Sequence, residues 1–592
     1  MRPRPGGQWI LRALAFGGAL VAFAGCGGGG NQTTDAGAGG APGTGGAIAG
    51  TGGDGTAAGG SGGSNADGGS VDGGGSELTR QLVAGPAHLL GTPTSACSQS
   101  TAGAAMADHW CAFTLPDAVL GNTDLWVVDV EKAAGAGPVK CDGSDASCLR
   151  LSTNLWTSQP DTGPAHPYSH HFYGQTLIFY TGAPSTTAFN GPIMAWRPGW
   201  PAARQISSDM AISCDGFPNA DVALCFDNGA LTVAPAHFDL RGGRLGAGAL
   251  PVADTIYPVT TTGAMQWSVA FSPAGDYLAY STGGTAATDK ETLYAYKVDD
   301  VGSVDKRLTV GSGLSQWDIG LDGKHWYFMR NYNYPPDNSA IDPTGTLTVA
   351  DFPGGGNETT LAPNVGSYVF LGADGVDRGV AFLDQITAGK GTYKVMADIS
   401  KPATVVTVAP GVSDAVPSDD GRFTYVKTEV DAKSGLGNAI LAKNDGSGTC
   451  TLAPGTTADF YGAPFLAHAA LVFWADNINV NTGAVEGWRA STNGCADKQK
   501  FADLLDFWFP VGDMGLIYSD SATGNTSTLR FVKLGAGGQW PAAGPTTIST
   551  GVSTVYGLVE PDRQYVVYEI ASGANAGSNG LWLYGPIGFG AP

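Results

Sequence analysis

Short segments in which apolar and polar residues alternate follow one another along the chain after residue 77. Residues 271–280 consist of one such segment, a tight turn and a second segment, and residues 321–328 and 418–425 repeat the arrangement. Alternation with a period of two is typical of strands that bury one face, and Gly or Asp between two such segments indicates a hairpin turn. The pattern therefore predicts a succession of β-hairpins.

The hairpin recurs at nearly regular intervals, which indicates a structural repeat. One turn residue represents each unit: Asp108, Gly174, Asp221, Gly275, Gly323, Gly375, Gly421, His468, Asp513 and Arg563. An aromatic residue stands five positions after eight of them, at Phe113, Phe179, Phe226, Tyr280, Phe328, Phe473, Tyr518 and Tyr568. In the other two units Phe382 and Tyr425 lie within two residues of that position. Since a slip of one residue would turn the ring to the other face of its strand, the offset predicts a core position in every unit.

A third apolar strand and a shorter fourth one follow most hairpins, as at residues 293–296 and 307–310. Four antiparallel strands in about 45 residues are typical of a β-propeller blade. The Ser-Pro-x-Gly-x-x-Leu-Ala-Tyr sequence of residues 272–280 resembles the repeats of the TolB-type (PD40/WD40-like) propeller family, and related sequence covers most of residues 264–570. The resemblance implies the same fold and carries little information about chemistry.

The last unit ends after three strands, while residues 78–83 resemble an isolated fourth strand at the other end of the chain. Pairing the two would remove two exposed sheet edges. We therefore predict that residues 78–592 form an all-β propeller of about ten four-stranded antiparallel blades, with the ring closed by the N-terminal strand. Propellers usually have roughly four to eight blades, so two fused rings, or eight blades with irregular ends, are alternatives.

The first 25 residues are predicted to be a signal peptide. Three arginines precede an apolar segment at residues 13–24, which is too short to span a bilayer. Ala24-Gly25-Cys26 resembles the end of a bacterial lipobox, although Phe23 replaces the usual leucine, and we expect Cys26 to be lipidated. Cleavage after Ala24 by ordinary signal peptidase is the alternative. Residues 27–76 contain 23 glycines and no aromatic residue, so residues 26–77 are predicted to be a lipid anchor followed by a disordered tether.

Charge and cysteine content fit an exported protein. Without the three N-terminal arginines, 28 basic and 52 acidic residues leave a net charge of -24, which disfavours nucleic acid as a partner. Besides Cys26, the cysteines pair by proximity as Cys97 with Cys111, Cys141 with Cys148, Cys214 with Cys225, and Cys450 with Cys495. Proximity alone does not fix the connectivity, and free buried thiols are the alternative.

Candidate chemistry is sparse. The strand before each turn is expected to line the propeller channel. Seven residues before the turn residue, this strand carries polar and aromatic residues, which are candidates for a binding site at the channel mouth: Gln316, Tyr368, Asp414, Tyr461, Asp506 and Tyr556. A wet channel would need polar residues in any case. His166, His170 and His171 are weak metal candidates, because an extended strand separates the first two and turns the last two to opposite sides.

The sequence thus predicts a non-catalytic, cofactor-free lipoprotein of the outer membrane or cell surface that binds an envelope protein or a glycan. It contacts the membrane only through its anchor, and nothing indicates an oligomer. A metal-assisted polysaccharide lyase or hydrolase built on a propeller is the alternative, and without the anchor the protein would be periplasmic or secreted.

Overall fold

The computed structural model describes residues 78–588, apart from 86–109, 117–122, 135–137, 156–169, 174, 181–191, 208–210, 217–220, 228–237, 247, 257–268, 283–290, 334–343, 374–375, 388, 402–403, 419–420, 430–436, 457–464, 468–469, 477–484, 512–514, 524–525, 536, 560–562 and 571–575. The predicted signal peptide, Cys26 and the tether lie outside these residues. Regular structure in the described part is β, with short 3-10 helices at Lys132–Ala134, Val298–Asp300, Val304–Lys306 and Ala576–Ser578. None of the helices in this part is long and apolar enough to cross a membrane.

The strands form a succession of antiparallel units, which we number in chain order. Strand β1 is Leu78–Ala84. Unit 1 contains β2 (Trp110–Pro116), β3 (Thr123–Asp129) and β4 (Cys148–Leu155). Unit 2 contains β5 (His170–Tyr173), β6 (Thr176–Tyr180), β7 (Ile193–Trp196) and β8 (Arg204–Gln205). Unit 3 contains β9 (Ala211–Gly216), β10 (Val222–Asp227), β11 (Phe238–Arg244) and β12 (Val252–Ile256).

In the next units, long strands belong to two units at once. Units 4 to 7 use β13 (Val269–Phe271), β14 (Tyr277–Thr282), β15 (Glu291–Lys297), β16 (Leu308–Ile319), β17 (His325–Asn333), β18 (Thr344–Asp351), β19 (Thr359–Ala373), β20 (Val376–Thr387), β21 (Lys390–Met396), β22 (Val406–Pro417), β23 (Phe423–Thr428), β24 (Gly437–Lys443) and β25 (Thr449–Thr456). The first half of β16 pairs with β15 and its second half with β17, so one strand ends unit 4 and begins unit 5. β19 and β22 act in the same way.

Units 8 to 10 complete the series. They use β26 (Phe465–Ala467), β27 (Leu471–Asp476), β28 (Val485–Ser491), β29 (Gln499–Val511), β30 (Gly515–Thr523), β31 (Thr526–Lys533), β32 (Thr546–Val552), β33 (Thr554–Val559), β34 (Arg563–Ile570) and β35 (Gly580–Gly588). β29 is shared by units 8 and 9. The described chain therefore contains ten units, and a sheet of four antiparallel strands in chain order is the topology of a β-propeller blade.

The recurring aromatic residue occupies the core, as predicted. Where its side chain is described, its exposed fraction is 0% at Phe113, Phe179, Tyr280, Phe328, Phe473, Tyr518 and Tyr568, and 2–3% at Phe382 and Tyr425. The turn that sets this register is visible in unit 4, where Ser272 Oγ accepts hydrogen bonds from the backbone of Asp276 and Tyr277 at 3.1 and 3.0 Å. Gly275 takes a positive φ of 67° in that turn, a conformation that glycine adopts without steric cost.

Hydrophobic clusters lie between consecutive units and form the core. Each of the nine junctions from units 1 and 2 to units 9 and 10 has one. A tenth cluster joins the last unit to the first, with Phe113 and Trp126 of unit 1 packed with Tyr565 and Val567 of unit 10. Every described unit is therefore packed on both of its faces.

The N-terminal strand β1 completes the last unit, as predicted. It pairs antiparallel with β35, from Leu78 opposite Gly585 to Ala84 opposite Gly580, so that unit 10 has the strand order β1-β35-β34-β33. Leu82 is 1% exposed, and its carbonyl accepts a hydrogen bond from the Val139 amide of unit 1 at 2.8 Å. The strand thus connects both ends of the described chain.

Three of the four predicted disulfides are present among the described residues: Cys141–Cys148, Cys214–Cys225 and Cys450–Cys495. Cys111 is also disulfide-bonded, and its predicted partner, Cys97, lies outside the described residues. The Cα atoms of Cys450 and Cys495 are 5.8 Å apart, within the usual range. This bond joins unit 7 to unit 8, one repeat later in the chain.

Candidate binding site on the first strands

The predicted channel residues that are described lie on the first strands of units 5, 6, 7, 9 and 10. Gln316 in β16 and Tyr368 in β19 are half-buried, whereas Asp414 in β22 is exposed. Asp506 lies in β29, and Tyr461 lies outside the described residues. Gln316 and Tyr368 face the same junction, between units 5 and 6, because their strand partners Met329 and Phe382 belong to its cluster.

The prediction for Tyr556 is wrong. Its side chain is 2% exposed and packs in the cluster between units 10 and 1, where burial raises its pKa. The cause is a shorter hairpin turn, which places the reference residue differently: the second strand begins at Arg563 itself in unit 10, but two residues after Gly323 in unit 5. Counting back a fixed number of residues therefore reaches a different register position in the last unit.

The pairing of residues between neighbouring strands shows directly which positions are equivalent in different units. In unit 5, Trp317 lies opposite the recurring aromatic residue Phe328, and Asp318 follows it opposite Tyr327. Tyr327 faces the next unit, and in the other described first strands the residues that lie opposite a cluster residue on that same face are His171, Asp215, Ala270, Val369, Val416, Phe465, Phe509 and Tyr556. Asp318 and Asp215 are therefore the two carboxylates at this position in the described units.

Three aromatic rings lie on the same side of the sheet as Asp318. Its cross-strand neighbour Tyr327 is fully buried, and the Tyr327 ring centroid is 6.4 Å from that of Tyr368 and 4.8 Å from that of Phe370. Tyr368 and Phe370 themselves are 6.0 Å apart in an edge-to-face arrangement. Tyr327 belongs to unit 5 and the other two rings to unit 6, so Asp318 sits at the junction of two units beside an aromatic cluster.

Burial raises the pKa of Asp318 to about 7, and the nearby Tyr368 hydroxyl partly opposes this rise. Among the side chains that the structure describes, no positively charged group contributes to this pKa. The Tyr368 Oη atom is buried and has no hydrogen bond of ordinary geometry with described residues, although it is close enough to Asp318 to influence its pKa. A carboxyl group in an apolar environment holds its proton more strongly because the charged form loses hydration.

Asp384, a second acid at the same junction, forms an ion pair. Asp384 in β20 is 7% exposed, and it accepts a hydrogen bond from Lys394 Nζ in an ion pair. Lys394 lies opposite Phe382 in the ladder, on the face of unit 6 that meets unit 5. Among the described side chains of this junction, Asp384 therefore has an ion-pair partner and Asp318 has none.

Sequence reasoning missed Asp318, although it selected Gln316 two residues earlier on the same face of the strand. The signal that could have identified Asp318 was the alternation of apolar and polar residues, because a charged residue is unusual at a strand position that faces the core. Of the metal candidates, His170 and His171 lie in β5 opposite Phe179 and Ile178, and His166 lies outside the described residues. Within the described part, no three His, Cys, Asp or Glu residues are grouped to hold a metal ion.

No protein family model matches the sequence, and no curated protein matches it. Solved structures with similar folds include a prolyl endopeptidase (13% identity over 61% of this chain and 46% of that one, TM-score 0.31). A eukaryotic initiation factor covers 73% of this chain and 94% of its own at 10% identity and TM-score 0.42. The β-propeller domain of the Trilobed protease from Pyrococcus furiosus covers 57% and 98% at 10% identity and TM-score 0.31.

The chain spans about half the length of the prolyl endopeptidase, 46%. At these identities and TM-scores, the similarities support no statement about activity.

Proposed function

We propose that the protein is an exported, membrane-tethered binding protein in which one ring of ten blades presents a ligand site near its centre. The packing of unit 10 against unit 1 supports a single ring, since ten clusters connect the ten described units in a cycle. Two rings would require two such cycles. In a ring, the first strand of each blade lines the channel.

The position of β1 is the observation that carries this proposal. The glycine-rich segment ends at residue 77, and the described chain begins immediately with the strand that pairs with β35. A lipid anchor at Cys26 would therefore hold the ring by its closing strand. A flexible coil of about 50 residues has a root-mean-square span of roughly 40 Å, which separates the ring from a membrane.

The disulfides favour export, because such bonds persist in oxidising compartments. The partner is an envelope protein or a glycan. A net charge of -21 for the full chain disfavours polyanions and favours cationic partners.

Two experiments test the proposal. Globomycin treatment should cause the precursor to accumulate, and Cys26→Ala should release the protein from membranes. Normal processing of that variant after Ala24, with wild-type membrane retention, would refute the anchor. A pull-down from envelope extract with the body that starts at residue 77 should recover a discrete partner at physiological salt, and recovery of none would refute the binding function.

A further inference from the structure

We propose that Asn493-Gly494 is a site of spontaneous deamidation, at which the Asn493 side chain becomes aspartate or isoaspartate. This inference goes beyond the proposed binding function and does not rest on it. Both residues are exposed in the turn between β28 and β29. Gly494 has a positive φ of 88°. Apart from its chain neighbours, no described heavy atom lies within 4 Å of the place that a Cβ atom would occupy there, so the turn is uncrowded around Gly494.

The chain itself supplies the nucleophile for this reaction. The Gly494 nitrogen attacks Cγ of Asn493, a new C–N bond forms, and the Cγ–Nδ2 bond breaks. The amide proton of Gly494 leaves with the side-chain nitrogen as ammonia, and a five-membered succinimide remains. Water then opens the ring at one of its two carbonyl carbons, which gives either aspartate or isoaspartate. Glycine favours the attack because it has no Cβ to hinder the approach of its nitrogen.

Ring closure requires rotation of the Asn493 carbonyl and the Gly494 amide relative to the Asn493 side chain. The Asn493 amide donates a hydrogen bond to Ser491 Oγ at 3.1 Å. The Asn493 side chain, the Asn493 carbonyl and the Gly494 amide form no hydrogen bond with a described residue. The groups that react can therefore rotate without losing hydrogen bonds to the described chain.

A second Asn-Gly pair of the described chain, Asn579-Gly580, is held in the sheet. Gly580 is the buried first residue of β35, which lies between β1 and β34. The Asn579 carbonyl accepts hydrogen bonds from the Gly85 amide at 3.0 Å and from Gln81 Nε2 at 2.9 Å. Rotation at Asn579 would break these bonds, so reaction there requires local unfolding. The same dipeptide thus occurs once in an open turn and once in a ladder.

The reaction alters the turn that carries an inter-unit disulfide. Cys495 follows Asn493 by two residues and is bonded to Cys450 of unit 7. The Cys495 amide donates a hydrogen bond to the Ser491 carbonyl across the turn at 3.2 Å. Aspartate adds only a negative charge, whereas isoaspartate also inserts one backbone atom between the two ends of this hydrogen bond. Isoaspartate therefore removes the hydrogen bond and destabilises the turn.

The test is incubation of the folded mature protein at pH 8 and 37 °C in water labelled with heavy oxygen. Proteolysis, chromatography and mass spectrometry then identify labelled aspartate and isoaspartate in the peptides that contain residues 493 and 579. We expect modification at residue 493 to be at least about tenfold faster than at residue 579. In reduced, urea-unfolded protein the two rates should agree within about twofold, because the fold then protects neither pair. Equal rates in the folded protein, or reaction of residue 493 only after unfolding, would overturn the proposal.

Variants separate the site from its consequence. Asn493→Gln keeps the amide but would have to close a larger ring, so it should show no modification at residue 493 and an unchanged rate at residue 579. Asn493→Asp carries the charge of the product on a backbone of normal length. After incubation, the wild type should unfold at a lower urea concentration than Asn493→Gln treated in the same way and than fresh Asn493→Asp. Equal midpoints for all three would overturn the effect on the turn, and modification of Asn493→Gln at the wild-type rate would overturn the site.

Discussion

The closing strand offers the sharpest test of the architecture. Leu82 is 1% exposed and Val83 2%, and both pack in the cluster that joins unit 10 to unit 1. Replacing a buried leucine by alanine removes its apolar contacts and leaves a cavity, at a cost of about 2–5 kcal/mol. We expect Leu82→Ala to lower the free energy of unfolding by that amount, because the same side chain contacts the last and the first units.

Thr79→Ala is the matched control. Thr79 lies on the same strand opposite Tyr584 but is exposed, so its replacement should change the stability by less than about 0.5 kcal/mol. Urea denaturation of both variants, followed by fluorescence, measures the difference. Deletion of residues 78–86 should likewise lower the melting temperature far more than deletion of residues 27–76. Equal midpoints for the two point variants, or equal melting temperatures for the two deletions, would refute the role of β1.

Three other expectations follow from particular contacts. Burial raises the pKa of Glu569 from 4.5 to about 7, so the stability contributed by the protonated carboxyl is present below pH 4.5 and is lost as the pH rises through 7. Glu569→Gln should flatten this pH dependence and raise the free energy of unfolding by up to about 3 kcal/mol at pH 8. Urea unfolding at pH 5 and pH 8 measures the difference. Replacement of Cys450 and Cys495 by serine should cost about 3–4 kcal/mol in the chain-entropy picture, and a wild-type melting temperature would contradict it. Arg307 Nη1 donates hydrogen bonds to Asp254 at 3.2 Å and to the Tyr280 hydroxyl at 3.1 Å. Arg307→Met should therefore lower the free energy of unfolding by about 1–3 kcal/mol. If the variant unfolds at the same urea concentration as the wild type, these hydrogen bonds contribute nothing to stability.

The repeat was predictable because each unit solves the same packing problem locally. The offset between turn and aromatic residue sets the strand face, so residues such as Tyr280 and Phe328 could be assigned to the core without any knowledge of neighbours. The pairing of β1 with β35 was also predictable, since it follows from a missing strand at one end and an extra strand at the other.

The positions of the candidate channel residues were less predictable because they depend on register across hairpins of unequal length. A fixed count found Gln316 but placed Tyr556 in a channel, whereas the ladder places it in the core. Nothing in the sequence indicated that Asp384 forms an ion pair with Lys394, because that contact depends on which face of β21 carries Lys394. The alternation of apolar and polar residues along the chain does not show which side chains of different units are in contact.

The pairing of β1 with β35 also constrains the order in which the described body is assembled. β1 is the first strand of the body to be synthesised, and its partner at residues 580–588 is the last. Intervening units fold from neighbours that are close in sequence, so they can form before the last strand is synthesised. Until then β1 lacks the strand with which it forms its ladder, and this edge is open to other chains. Synthesis of the last nine-residue strand therefore completes the described body, and a chain truncated before residue 580 would leave the edge of β1 unpaired and prone to aggregation.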